Sequence, residues 1–239
     1  SNPNPQFIEV AVNNNVQDDS FENLGSMGYG AAWGDYDNDN DFDLYLSNWG
    51  INKLFRNDGN SFSDVTDIYH VYSDSLSNGA AWGDFNNDGR LDLWAANIRS
   101  NDDLFMNDGA IEWSNEYSPN FLTATQDIIT GDYNNDGWLD AFTPGLEMVN
   151  PPHQGPKYSS LLYKNITPDS IGGYYNWIKI NLEGAKNNIS NEGWSSKSNK
   201  SAIGARVVIT LFEGSIQSRE ITAGKGHGSL DALELHYGL

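Results

Sequence analysis

The sequence predicts an all-β protein made of three repeated, blade-like units followed by a separate β-sheet or sandwich-like domain. An Asp-rich stretch recurs three times at nearly constant spacing. Short segments of alternating apolar and polar residues flank each copy, and the pattern gives way near residue 170 to longer alternating runs.

The first copy is Gly34-Asp35-Tyr36-Asp37-Asn38-Asp39-Asn40-Asp41-Phe42-Asp43. The second is Gly83-Asp84-Phe85-Asn86-Asn87-Asp88-Gly89-Arg90-Leu91-Asp92, and the third is Gly131-Asp132-Tyr133-Asn134-Asn135-Asp136-Gly137-Trp138-Leu139-Asp140. Asp35 and Asp84 are 49 residues apart, and Asp84 and Asp132 are 48 apart. A small-residue strand leads into each loop: Tyr29 to Trp33, Asn78 to Trp82 and Gln126 to Thr130. An apolar or alternating strand follows, such as Leu44-Tyr45-Leu46 or Leu91-Asp92-Leu93-Trp94. A third strand ends in Leu54-Phe55-Arg56-Asn57-Asp58-Gly59, Leu104-Phe105-Met106-Asn107-Asp108-Gly109 and, more loosely, Leu162-Tyr163-Lys164-Asn165, where Asn-Asp-Gly is turn chemistry that closes a hairpin. Phe62-Ser63-Asp64-Val65 is expected to be a strand, and Phe7-Ile8-Glu9-Val10 its counterpart before the first loop.

The third unit is stretched. Asp140 and Leu162 are 22 residues apart, against 11 and 12 for the same step in the earlier copies, and Met148 to Pro156 reads as a proline-rich surface loop. From about Ile171 the pattern changes: Trp177 to Leu182 and Ile203 to Leu211 alternate cleanly around a polar excursion at 186–201. The expected domains are therefore 1–170 and 171–239, with a boundary near 168–174.

Composition limits the function classes. With 13 basic and 33 acidic residues the net charge is −20, which argues against nucleic acid and anionic membrane surfaces as partners. Eleven of the 33 acids lie in the three loops, a density that repels itself unless a cation is bound. The chain has no cysteine, so disulfides, thiolate catalysis and zinc-thiolate sites are excluded. No apolar run reaches the length of a membrane span. A start at Ser1 rather than Met is consistent with an export signal already removed, and the expected location is secreted or at the cell surface.

In an Asp-x-Asp-x-Asp-Gly calcium loop, side chains at positions 1, 3 and 5 and the backbone carbonyl at 7 supply oxygens, while glycine at 6 permits the sharp turn. The candidate ligands are Asp35, Asp37, Asp39 and the carbonyl of Asp41; Asp84, Asn86, Asp88 and the carbonyl of Arg90; Asp132, Asn134, Asp136 and the carbonyl of Trp138. Position 12 is Leu46, Ala95 or Thr143 where an EF-hand has Glu, and the flanks read as strands, so these are not EF-hands. Asp43, Asp92 and Asp140 at position 9 are left to close each site. Glycine 6 is Gly89 and Gly137 but Asn40 in the first loop, and Asn tolerates a left-handed backbone. Asx-rich loops also turn through their own side-chain hydrogen bonds without metal. Three copies in register favour about three Ca2+ sites, weak ones of roughly 10⁻⁴–10⁻³ M, as in extracellular modules.

The loop cores, from Ala31-Ala32-Trp33-Gly34-Asp35 through Leu46 with Asn52-Lys53-Leu54-Phe55-Arg56-Asn57 after them, resemble the FG-GAP/VCBS repeat of integrin α-subunit propellers and secreted bacterial proteins. That resemblance implies a β-propeller blade with calcium held by the loop, position 9 included. Asn176 to Gly184, Ala202 to Val207, Gln217 to Ile221 and the closing Tyr237-Gly238-Leu239 resemble the ASPIC and UnbV domain. Propellers have about 4–8 blades, so three units make a partial ring, or one completed by oligomerisation, and unpaired edges favour self-association.

No catalytic constellation is legible. His70, His153, His227 and His236 lack metal-helix or triad spacing, and Arg206 and Arg219 read as strand residues that form salt bridges. Trp33 and Trp82 read as core, whereas Trp49, Trp113 and Trp194 lie among polar neighbours and suit sugar stacking as well as packing. Asn165, Asn188 and Asn199 head glycosylation sequons. The expected function is a calcium-stiffened structural or adhesion protein, not an enzyme, acting through a homo-oligomer or an extracellular protein or glycan partner. The alternative is a calcium-dependent lectin-like module or the non-catalytic part of a larger secreted enzyme.

Overall fold

The computed structural model describes residues 6–16, 28–73, 75–117, 123–145, 160–167, 176–183, 201–222 and 233–239. The proline-rich loop, the 168–174 boundary, His153, Trp194, His227 and the sequons at Asn188 and Asn199 lie outside these residues.

The protein is all-β, and its sheets are antiparallel throughout. The first blade runs β1 (Gly28–Gly34), β2 (Asp43–Asn48), β3 (Lys53–Asn57) and β4 (Phe62–Asp64), paired in that order. A single helical turn, α1 (Thr66–Tyr69), leads to the second blade. That blade is β5 (Leu76–Gly83), β6 (Asp92–Ser100), β7 (Asp103–Met106) and β8 (Ser114–Tyr117), with β9 (Thr123–Ala124) on the far end of β6. The third comprises β10 (Ile129–Gly131), β11 (Asp140–Thr143) and β12 (Leu161–Tyr163). In the C-terminal region β13 (Trp177–Asn181) pairs with β16 (Glu234–Gly238), and β14 (Arg206–Thr210) with β15 (Ile216–Glu220).

Strand periodicity of two explains how the blades stack. Along β5, Ala80 and Trp82 point back to the first blade while Ala81 points forward to the third; along β6, Leu93 and Ala95 point back while Trp94 and Ala96 point forward. One core thus joins Tyr36, Tyr45 and Leu54 of the first blade to Trp82, Leu93 and Phe105 of the second. A second core joins Phe85, Trp94 and Leu104 to Ile128, Ala141 and Tyr163 of the third. The inner strands are rich in Gly and Ala because they converge: a Cβ on Gly34 would collide with the Trp82 indole.

The same periodicity shows which faces lack a neighbouring blade. Tyr133, Phe142 and Leu162 hold the places of Phe85, Trp94 and Leu104 one unit later, and are 54%, 39% and 56% exposed. Trp33 holds the place of Trp82 one unit earlier and is 53% exposed against 7%. The expectation that Trp33 is core is therefore corrected, because its slot faces away from the second blade. Trp113 is buried among Tyr36, Tyr69 and Trp82, and Trp49 stacks on Tyr29 at 4.5 Å. Both are packing residues. Phe7 to Val10 is not a strand: residues 6–10 have no regular structure, and Phe7 and Ile8 are 91% and 85% exposed. Phe62–Asp64 differs in having β3 to pair with.

Trp82→Ala is expected to cost about 3–5 kcal/mol of stability, as for a buried aromatic, and Trp33→Ala under about 1 kcal/mol. Urea unfolding of the two variants checks the contrast; equal losses would contradict the blade assignment.

Candidate metal centre

Each Asp-rich loop connects the first strand of a blade to its second, and its backbone is folded by its own side chains. The position-1 carboxylate accepts the N–H of position 6: Asp35 from Asn40 at 3.2 Å, Asp84 from Gly89 at 2.9 Å and Asp132 from Gly137 at 2.8 Å. The position-5 carboxylate accepts the N–H of position 7: Asp39 from Asp41 at 2.8 Å, Asp88 from Arg90 at 2.9 Å and Asp136 from Trp138 at 3.1 Å. Asn86 and Asn134 at position 3 donate their amides to Asp88 and Asp136. Position 6 is left-handed in all three loops, with φ of 76° at Asn40 and 88° at Gly89 and Gly137.

The position-9 carboxylates lie deepest. Asp43 accepts the N–H of Tyr36 at 3.0 Å and of Asn57 at 2.9 Å; Asp92 that of Phe85 at 2.9 Å and Asn107 at 2.8 Å; Asp140 that of Tyr133 at 3.2 Å and Asn165 at 2.8 Å. Each one fastens its loop to the end of the third strand of the same blade.

Two sets of functional residues escaped the sequence reading. Position 4 is also left-handed, at Asn38, Asn87 and Asn135. Asn38 and Asn87 donate their amides to the position-6 carbonyl of the next loop, Gly89 at 3.3 Å and Gly137 at 2.9 Å, so the loops form a hydrogen-bonded row. The asparagines after the third strand, read as turn residues and at Asn165 also as the head of a sequon, are inter-blade staples: Asn107 donates to Leu91 and to Tyr36 of the preceding blade, and Asn165 to Leu139 and to Phe85. The Asn165 amide is thus held in the fold instead of being presented for glycosylation. The signal was an Asn three residues after the leading leucine of each third strand, at Leu54 and Asn57, Leu104 and Asn107, and Leu162 and Asn165.

The C-terminal strands place one cation against each loop. Arg206 lies 3.4 Å from Asp35 and bonds the Asn40 carbonyl. Arg219 donates to the Gly89 carbonyl at 3.4 Å, and Lys179 lies 2.7 Å from Asp132. His236 contacts the Gly137 carbonyl at 3.0 Å, and the Gly238 N–H donates to Asp84 at 3.0 Å. His70, by contrast, ends α1 in a left-handed conformation. A cavity of about 640 Å³ separates these strands from the blades, with Trp33, Phe42, Phe62, Asp35 and Arg206 among its lining residues.

The residues fit a hard cation. In the first loop, ligand oxygens of Asp35, Asp37 and Asp39 lie within 4.8 Å of one another. Asp35 is fully buried, and its Oδ1 has no hydrogen-bond partner among the described residues. An all-oxygen donor set of this kind suits Ca2+. Without metal, burial pushes Asp35 up to about 6, with Asp39 adding to the effect; burial pushes Asp84 to about 6 against the pull of Arg219, and Asp43 to about 8. Asp132 goes the other way: burial is the largest influence and would raise it, but the hydrogen bond and charge of Lys179 together with the N–H groups of Gly137 and Asp136 outweigh that and hold it low.

These raised values fix a sign. The stability contributed by the protonated carboxyls is fully present below their unfolded value near pH 4 and is lost as pH rises through about 6 to 8. Depressed groups such as Asp132 contribute above about pH 4 and lose that contribution only as pH falls further. The melting temperature of chelator-treated protein is therefore expected to drop between about pH 5 and pH 8; a rise over that window would contradict the burial of these groups.

In the third loop, glycine at position 6 is required for space as well as turn geometry. A Cβ on Gly137 would fall inside the Trp177 indole. Gly137→Ala is expected to cost at least about 2 kcal/mol in urea unfolding, and Asn40→Gly, at the same loop position, to change stability by less than about 0.5 kcal/mol.

Among the described residues no helix is long and apolar enough to cross a membrane. Comparison with curated proteins finds no match. The family model for the FG-GAP-like repeat matches residues 35–95 and 84–143, and the ASPIC and UnbV model matches residues 195–239. Repeats of this kind often bind calcium and typify extracellular and surface proteins. The chain is thus built of FG-GAP-like repeats, folded as propeller-type blades, followed by an ASPIC and UnbV region.

Proposed function

We propose that the protein is a non-catalytic structural or adhesion module of the extracellular space, secreted or held at the cell surface, in which Ca2+ stiffens the row of blade loops. The observation that supports this most directly is the convergence of the buried Asp35 with the exposed Asp37 and Asp39, beside the buried Asp43; Asp35 and Asp43 are raised by desolvation and by neighbouring carboxylates. Ca2+ held by the oxygens of those groups would supply two positive charges that offset their mutual repulsion. The chain's own part is to hold Asp35, Asp84 and Asp132 against position-6 N–H groups and to shield the loops with the C-terminal strands.

Self-association is part of this reading. The uncovered Tyr133, Phe142 and Leu162 offer the kind of face that the next blade covers twice within the chain. Trp33 offers the matching knob for a second copy.

A lectin-like role is a second reading, favoured by the cavity lined by Trp33, Phe62 and Asp35, since an exposed indole beside carboxylates suits a sugar ring. Calcium-dependent retention on a glycan array without turnover would favour it over self-assembly, and turnover would overturn the non-catalytic assignment.

At about 1 mM calcium the protein is expected to melt several degrees higher than after chelation and to scatter light as an oligomer. Phe142→Glu is expected to leave the melting shift intact and abolish the oligomer. A strict monomer under these conditions rules out self-association, and an unchanged melting temperature rules out the calcium role.

A further inference from the structure

The three loops share one backbone design, but their charge balance differs. Loop 1 gathers five carboxylates, Asp35, Asp37, Asp39, Asp41 and Asp43, against one C-terminal guanidinium, that of Arg206 at 3.4 Å. Arg56 nearby is engaged by Asp58 at 2.8 Å. Loop 2 has three carboxylates and supplies its own counter-ion. Arg90, at position 7, bonds Asp88 through Nη2 while its Nε donates to the Asn107 carbonyl at 2.8 Å, which pins the guanidinium over the loop. Arg219 acts on Asp84 as a second cation. Loop 3 has three carboxylates facing Lys179, 2.7 Å from Asp132, and Lys164, 3.8 Å from Asp136.

The side chains at position 3 sharpen the difference. In loops 2 and 3 the amides of Asn86 and Asn134 are turned onto the position-5 carboxylate. In loop 1 position 3 is Asp37, which brings a third ligand carboxylate to the site where the buried Asp35 keeps one oxygen without a partner among the described residues.

We propose that loop 1 is the chain's tightest divalent-cation site, and that Arg90 and Lys179 are resident counter-ions that partly neutralise loops 2 and 3 and weaken cation binding there. A dication arriving at loop 2 meets a guanidinium already on Asp88, so it must displace that group or bind beside it. Loop 1 also presents a guanidinium, that of Arg206, but sets five carboxylates against it where loop 2 sets three against two cations, so the Coulomb cost is smaller at loop 1, and affinity in oxygen-ligand sites follows the count of ligand charges. The proposal rests on the calcium reading and adds a rank order to it.

Isothermal titration of chelator-treated protein with CaCl2 tests it. The wild-type chain is expected to show one site, with any others weaker by roughly tenfold or more. Asp37→Asn is expected to remove that site while leaving the fold intact, since it gives loop 1 the residue its sister loops already carry. Arg90→Gln is expected to add a second site of comparable strength, and Arg90→Lys, which keeps the charge, to add none. Three equal sites in the wild type overturn the proposal. So does an Arg90→Gln protein with native circular dichroism and unchanged stoichiometry. If neither the wild type nor any variant binds calcium, the calcium reading itself fails, an outcome distinct from both of these.

Discussion

A buried carboxylate at the ninth position of each loop holds the blades together. Asp43, Asp92 and Asp140 each accept one N–H from the start of their own loop and one from the end of their blade's third strand, so a single side chain closes loop and sheet into one unit. Burying such a group is unfavourable: desolvation carries Asp43 to about 8 and Asp92 well above the carboxylate range despite the two hydrogen bonds. The gain is geometric. With the loop fixed at both ends, its remaining oxygens converge where a cation can use them, and the backbone of position 2 is held where the next blade's asparagine can reach it.

From that tie the rest of the assembly propagates in one direction. Asn107 and Asn165 hook each blade to the loop of the one before, and Asn38 and Asn87 hook each loop to the one after. The aromatic cores between blades fill in behind these polar staples. The C-terminal strands lie across the finished row and bring a cation to every loop, so part of the acidic charge is balanced within the chain itself. An excess of acid over base that looks extreme in composition is thus locally moderated at every loop, and most at the second and third, where Arg90 and Lys164 add a second cation.

The loop positions, the hairpins and the strand alternation were legible in sequence because they are local: spacing, turn residues and a period of two need no partner. The staples were not, because Asn107 and Asn165 spend their amides on residues 71 and 80 positions away. Trp33 and Trp82 sit in the same motif, and only their neighbours distinguish a half-exposed ring from a core one. Phe7 to Val10 resembles Phe62 to Val65 in pattern, but a strand forms only where another strand offers its N–H and C=O groups.

By itself, the sequence determined the all-β class, the three-fold repeat, the oxygen-rich loops and the change of pattern that opens the C-terminal region, since each follows from residue type and short-range spacing. The tertiary structure alone decided which faces are covered, how the loops are chained together and which loop carboxylates meet a lysine or an arginine. Those outcomes depend on distances between residues far apart in the chain, and Coulomb energy and desolvation respond to distance and burial, not to sequence order.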